Sequence, residues 1–107
     1  MSSRIQTLAK AVKEHPDDSF YKFTLALEML KIGERRKAQV LFENILVNDP
    51  EYIGVYYHLG KLYVDLQENE LALETYIRGI EIADQIKDGH ARSELMSAKF
   101  DLELEMD

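Results

Sequence analysis

Along most of the chain the apolar residues return every three or four positions. Over 53–66, Tyr56, Leu59, Gly60 and Tyr63 fall at i, i+3, i+4 and i+7, the spacing of one helical face. Over 69–83, Leu73, Tyr76, Ile77 and Ile80 follow the same rule. No segment alternates convincingly with the period of two that a strand requires, so the pattern predicts an all-α fold of about six helices. Short polar breaks divide the helices: Ile32-Gly33-Glu34, Gln67-Glu68-Asn69 and Asp88-Gly89. Gly33 suits a helix end, where glycine adopts the left-handed conformation without strain. "HPDD" (15–18) and "NDPE" (48–51) each stop one helix and start the next, because proline disfavours helix in the residue before it. Asp17, Asp18 and Ser19 are candidate caps for the helix that follows the first break. The final segment, 89–105, predicts one amphipathic helix. Its apolar side holds Leu95, Met96, Phe100 and either Leu102 or Leu104, and its charged side Glu94, Lys99, Asp101 and Glu103.

The two prolines, Pro16 and Pro50, stand 34 residues apart. A fixed period of that size points to a repeat. Sliding the chain by 34 pairs Leu25 with Leu59, Ala26 with Gly60, Met29 with Tyr63, Ala38 with Ala72, Phe42 with Tyr76, and Ile45 with Gly79. Only the residues at 25/59, 34/68 and 38/72 are identical between 19–52 and 53–86. Small positions nevertheless stay small and large apolar positions stay large, which is what packing requires when the surface is free to vary. Each unit reads as two helices. Leu8, Ala11 and Val12 lie 34 residues before Phe42, Ile45 and Leu46, so 3–16 reads as the second helix of an incomplete unit.

On these residues the chain resembles the tetratricopeptide repeat family. That pattern runs aromatic, two residues, Leu-Gly, two residues, Tyr, then Ala, three residues, Phe, and finally Pro. The second unit, 53–86, matches with Tyr56, Leu59-Gly60, Tyr63, Ala72 and Tyr76, and departs where Asp84 replaces the proline. The first, 19–52, matches with Leu25-Ala26, Met29, Ala38, Phe42 and Pro50, and departs where Lys22 replaces the aromatic. The layout is similar to small stand-alone bacterial proteins of the family: half a repeat, two full repeats and a capping helix over 89–105. The resemblance implies a solenoid of antiparallel helix pairs. It puts Gly60 and Ala26 at the closest crossing within each pair, facing Ala72 and Ala38, and Gly79 in a similar place between units. A mid-helix glycine costs about 1 kcal/mol relative to alanine; close packing is the expected return.

Composition narrows the chemistry. The chain has 107 residues, no cysteine and a net charge of −7. Disulfides, cysteine-based zinc sites and thiol nucleophiles are excluded, and the acidic balance argues against a nucleic-acid partner. The charge is uneven: 1–37 carry a net +3 and 38–107 a net −10. The N-terminal stretch has no apolar core of a secretion signal, and no apolar run is long enough to span a membrane. A cytoplasmic location is the expectation. There is no phosphate-binding glycine loop, HExxH or GxSxG. His15, His58 and His90 are far apart in sequence, so no enzyme activity, metal or cofactor is expected. Tyr56, Tyr63 and Tyr76 are expected in the core.

In stacked helix pairs the first helix of each pair lines the concave side. The residues expected there are Phe20, Phe23, Thr24, Leu27 and Lys31 in the first unit and Tyr57, His58, Lys61 and Asp65 in the second, followed by Arg92, Leu95 and Lys99 on the last helix. The helix "SFYKFTLALEMLK" is apolar on more than one side. Either the N-terminal half unit or the terminal helix covers the stripe of Phe20, Phe23, Leu27 and Leu30, or the stripe is open to a partner segment or a second copy of the chain. The cations His58, Lys61, Arg92 and Lys99 suit an acidic peptide or a C-terminal carboxylate. Some family members hold acidic C-termini with a clamp of Lys, Asn and Arg. Arg92 falls at the arginine position, but Phe23, Leu27, His58 and Asp88 occupy the others, so the resemblance implies no such clamp. The expected function is a protein-interaction module that grips a peptide or partner surface in the concave groove. The alternative is a self-associating dimer built on the Phe20/Phe23/Leu27 stripe.

Overall fold

The computed structural model describes residues 3–106. Among them are six α-helices and no strand: α1 (Ser3–Glu14), α2 (Ser19–Lys31), α3 (Arg35–Asn48), α4 (Ile53–Asp65), α5 (Asn69–Ile86) and α6 (Gly89–Met106). They form two compact units, α1–α3 up to Asp49 and α4–α6 from Pro50.

The helix ends follow local chemistry. Asp18 caps α2 by accepting a hydrogen bond from the Phe20 amide at 3.0 Å. Asp88 does the same for α6 by accepting from the Ala91 amide at 3.0 Å. After α2 the chain turns through Gly33 at φ +80°; after α4 it turns through Gln67 at φ 60°. These two positions are 34 residues apart, and their bonds correspond. Gly33 N–H donates to Leu30 O at 3.1 Å and Glu34 N–H to Met29 O at 2.9 Å, while Gln67 N–H donates to Val64 O at 2.9 Å and Glu68 N–H to Tyr63 O at 2.8 Å. The paired bonds are those of a left-handed helix stop, usually made by glycine. Lys87, at φ 60°, ends α5 in the same way.

In the first unit α2 packs between α1 and α3. Leu25, Ala26, Ala38, Phe42 and Ile45 are buried, and Ile5 of α1 joins them. Arg4 of α1 pairs with Glu28 of α2 at 3.5 Å. The hydrogen bond from Lys31 holds the Glu28 carboxyl below its usual range, with Arg4 assisting and partial burial opposing. Lys22, at the position where the repeat pattern has an aromatic, is buried; its ammonium donates to Asn44 Oδ1 on α3 at 2.8 Å. The aliphatic stem thus fills part of the aromatic's space while the charged tip finds an amide oxygen.

In the second unit α5 packs against both α4 and α6. Val55, Tyr56, Leu59, Leu62, Tyr63, Ala72, Tyr76 and Leu95 are buried. The Tyr56 hydroxyl donates to the Pro50 carbonyl at 2.5 Å and anchors the chain entering α4. Gly60 lies under the ring of Tyr76: a Cβ there would meet that ring, with Cδ1 only 2.7 Å away. Gly79 sits where three helices meet; its Cβ would lie 2.6 Å from Tyr56 Cβ on α4 and 3.0 Å from Leu95 Cδ1 on α6. Both glycines therefore set helix separations, Gly60 against a tyrosine rather than against the alanine expected from the repeat pattern.

Alanine at Gly60 would gain about 1 kcal/mol of helix propensity and incur overpacking near the upper end of the usual range, about 3 kcal/mol. Gly60→Ala is expected to lower stability by about 2 kcal/mol, read as a reduced midpoint in urea denaturation followed by circular dichroism. Gln67→Gly is expected to raise stability by about 1 kcal/mol in the same assay, because it removes a side chain from a left-handed position.

Candidate functional site

The second unit contains an open cleft of about 360 Å³ between α4 and α6. Tyr57 and Lys61, one helical turn apart, line it from α4. His90, Ser93, Glu94, Ser97, Ala98 and Asp101 line it from α6. A smaller hollow continues past Lys61 along Val64, Ala98, Asp101 and Glu105. The lining mixes a phenol ring, an imidazole, two serine hydroxyls and charges of both signs.

His58, beside Tyr57, is half-buried, and the two rings meet edge-on with centroids 5.7 Å apart. Burial pushes its imidazole below the ordinary histidine value, and the Glu94 carboxylate opposes this only in part. Beneath the cleft, burial pushes the Tyr76 phenol up to about 12, with smaller contributions from Tyr57, Asp65 and Asp101. Tyr76 therefore stays neutral at physiological pH, and its role is packing.

Tyr57 and Lys61 thus share one cleft, with His58 next to them. The last helix does not follow the 34-residue step. Leu95 is 1 % exposed and packs against Gly79, so it is a core residue and not a lining one. Lys99 lies on the other side of α6, in a cleft shared with α5, and pairs with Glu103 at 3.0 Å. Arg92 is absent from the α4/α6 lining, and its Nε pairs with Asp84 on α5 at 2.7 Å. The reason is rotational. Leu95 and Leu102, seven residues apart, are the buried residues of α6. They turn His90, Ser93, Glu94, Ser97 and Asp101 toward α4. The spacing of Leu95 and Leu102 was the available signal for this rotation. Met96 and Phe100, expected on the apolar side of the last helix, are exposed; of the alternatives Leu102 and Leu104, Leu102 is the buried one.

In the first unit, Phe20, Phe23, Thr24, Leu27 and Lys31 recur at helical spacing on α2. Phe20 is 60 % exposed. Phe23 is half-buried with its ring 6.1 Å from that of Phe42. Thr24 donates its hydroxyl to the Phe20 carbonyl at 2.9 Å. Leu27 is half-buried, and Lys31 pairs with Glu28 at 2.9 Å. α1 docks on α2 through Glu28, and His15 approaches Tyr21 at 5.7 Å between ring centroids. The apolar stripe is therefore part core and part surface, with Phe20 its most open member.

Among the described residues no group of three or more His, Asp or Glu side chains is placed to hold a metal, and no helix is long and apolar enough to cross a membrane.

The fold has known counterparts. The chain is 43 % identical to a tetratricopeptide repeat domain protein of Salinibacter ruber, over 80 % of this chain and 96 % of that one, with a TM-score of 0.78. A solution structure of a Bordetella parapertussis protein superposes with a TM-score of 0.83 at 21 % identity, covering 98 % of this chain and 91 % of that one. The TPR2B domain of yeast Sti1, in complex with pHsp70, gives 0.87 at 16 % identity, over 94 % and 81 % of the two chains. Searches against family models and against curated proteins return no match.

The lowered His58 pKa has a definite sign. The unfolded chain takes up this proton first. The contribution of His58 to stability is whole above the ordinary histidine value of 6.5 and is lost as pH falls below it toward the folded-state pKa. His58→Gln is expected to flatten the loss of stability on acidification just below pH 6.5, measured as urea midpoints of the two proteins at matched pH.

Proposed function

This chain belongs to the tetratricopeptide repeat family, and we propose that it is a non-catalytic interaction module that holds a protein or peptide segment in the concave cleft between α4 and α6. The observation that supports this most is the composition of the cleft wall. Tyr57 offers a ring at an open surface, Ser93 and Ser97 offer hydroxyls facing it, and Lys61 stands against Glu94 and Asp101. An aromatic anchor flanked by hydrogen-bonding groups suits a peptide whose backbone needs partners and whose side chains supply buried area. Phe20, Phe23, Thr24, Leu27 and Lys31 on α2 are proposed as a second contact surface. The repeat reading itself, 19–52 and 53–86, is part of the same proposal. The yeast Sti1 domain found with pHsp70 is a fold neighbour that occurs with a protein partner, which is in keeping with this role.

The charge of the expected partner changes. Lys61 and His90 lie in the cleft, but so do Glu94 and Asp101, while Arg92 and Lys99 lie outside it. A segment carrying both signs, with a carboxylate for Lys61 and a donor for Glu94 or Asp101, fits this wall better than a uniformly acidic one. A net charge of −7 favours protein over nucleic acid as the partner class. The relative in Salinibacter ruber is in keeping with a bacterial origin; a cytoplasmic adaptor is part of the same proposal. Self-association through Phe20, Phe23 and Leu27 is the weaker reading, since Phe23 and Leu27 are half spent on their own unit.

Peptides selected from a displayed random library against the immobilised protein test the proposal. Tyr57→Ala is expected to weaken the selected peptides at least about tenfold by calorimetry, in the range of an aromatic hot spot. Lys61→Glu is expected to shift the selected sequences away from carboxylates. Peptides that bind Tyr57→Ala as well as the parent would contradict the proposed cleft.

A further inference from the structure

The α4/α6 cleft has two unlike ends. Near the start of α6 it holds Tyr57, Ser93 and the His90–Glu94 pair, with 3.8 Å between Nε2 and Oε2. The other end is the hollow bordered by Val64 of α4 and by Leu102 and Glu105 of α6. Val64 is the penultimate residue of α4 and Glu105 that of α6, so both helices finish here. A helix C-terminus carries partial negative charge and favours cations. Neither helix has a basic residue in its last turn. Glu105 instead adds a carboxylate there, which is locally unfavourable. The next hollow past Glu105 is lined by Glu68 and Glu70, and by no Lys, Arg or His among the described residues.

Between the ends, Lys61 of α4 and Asp101 of α6 line both parts of the cleft. Their charges are opposite, yet they form no ion pair with each other. Among the described residues neither they nor Glu105 has an ion-pair partner, whereas Arg78–Glu81, Arg92–Asp84 and Lys99–Glu103 are paired on the same unit. Lys61 is also the one Lys or Arg among the described residues that line the cleft. The cleft thus offers a cation midway and carboxylates toward one end. Ser93 and Glu105 are twelve residues apart, about 18 Å along a helix. An extended segment covers that span with about six residues.

We propose that the segment held in this cleft is extended and ordered in charge: an apolar or aromatic side chain against Tyr57, a carboxylate beside Lys61, and Lys or Arg at the Asp101–Glu105 end. This rests on the peptide-binding reading and adds to it the order of the ligand's side chains. The ligand's carboxylate meets the cation that the cleft leaves unpaired. Its Lys or Arg meets two carboxylates and the negative ends of two helices, none of which the protein balances for itself. Exposed ion pairs contribute little affinity; their part is to fix which way round the segment lies and to reject the reverse order. Asp101 and Glu105 are therefore specificity residues, while Tyr57 supplies buried area.

Short peptides selected from a displayed random library on the immobilised full chain carry the test. Sequences whose capture depends on Tyr57 should share one order: an apolar or aromatic residue, then Asp or Glu, then Lys or Arg, within about six positions. The joint variant Asp101→Asn, Glu105→Gln should bind such a peptide about fivefold more weakly at low salt, a gap that closes at high salt. The joint variant Asp101→Lys, Glu105→Lys is the sharper arm. Peptides selected on it should carry Asp or Glu at the end where the parent takes Lys or Arg. Both positions are exposed, so circular dichroism should be unchanged. Tyr57-dependent peptides with no charge order, or the same Lys and Arg selected by the reversed variant, would overturn this inference and leave the peptide-binding reading standing. Failure to select any peptide that depends on Tyr57 would overturn both.

Discussion

The second unit depends on a tyrosine ring lying over a glycine. Tyr76 occupies the space that any side chain at Gly60 would need, which lets α5 approach α4. Gly79 repeats the device on the other edge of α5, where Tyr56 and Leu95 come within a few ångströms of its backbone. α5 thereby holds α4 and α6 at a fixed separation, and the open wall of Tyr57 and Lys61 against Ser93 and Ser97 is what remains between them. Interiors packed to this density transmit small changes in volume. The proposed binding surface is therefore a product of two glycines that touch no ligand.

Much of this was legible along the chain. The helix ends followed from proline, aspartate and glycine chemistry, which acts within a few residues. The 34-residue step located Tyr56, Tyr63, Ala72 and Tyr76 in the core, because large and small positions must alternate wherever two helices touch. The same step failed on α6. There the residues equivalent to Tyr56, Leu59, Gly60 and Tyr63 are His90, Ser93, Glu94 and Ser97. Polar side chains cannot serve as a core face, so Leu95 and Leu102 become the inward ones and the helix rotates. Lys22 was hidden for another reason: a lysine stem can stand in for an aromatic only where an acceptor such as Asn44 waits at its tip, and such an acceptor is twenty-two residues away.

The faces of α6 differ in chemistry. Toward α4 it shows hydroxyls and charges of both signs. Toward α5 it shows Met96 and Phe100 beside Glu81, Lys99 and Glu103. Its remaining face is committed to the core through Leu95 and Leu102. One short helix can thus offer two surfaces of different chemistry, and ion pairs such as Arg92–Asp84 fasten it at the surface for about 1 kcal/mol or less.

Amide chemical-shift mapping with a saturating selected peptide tests the central claim most directly. The account predicts perturbations concentrated at Tyr57, Lys61, Ser93 and Ser97, fading toward Phe100 and Val40. Perturbations centred on α3 or on the α5/α6 side, with Tyr57 and Ser97 unmoved, would contradict it.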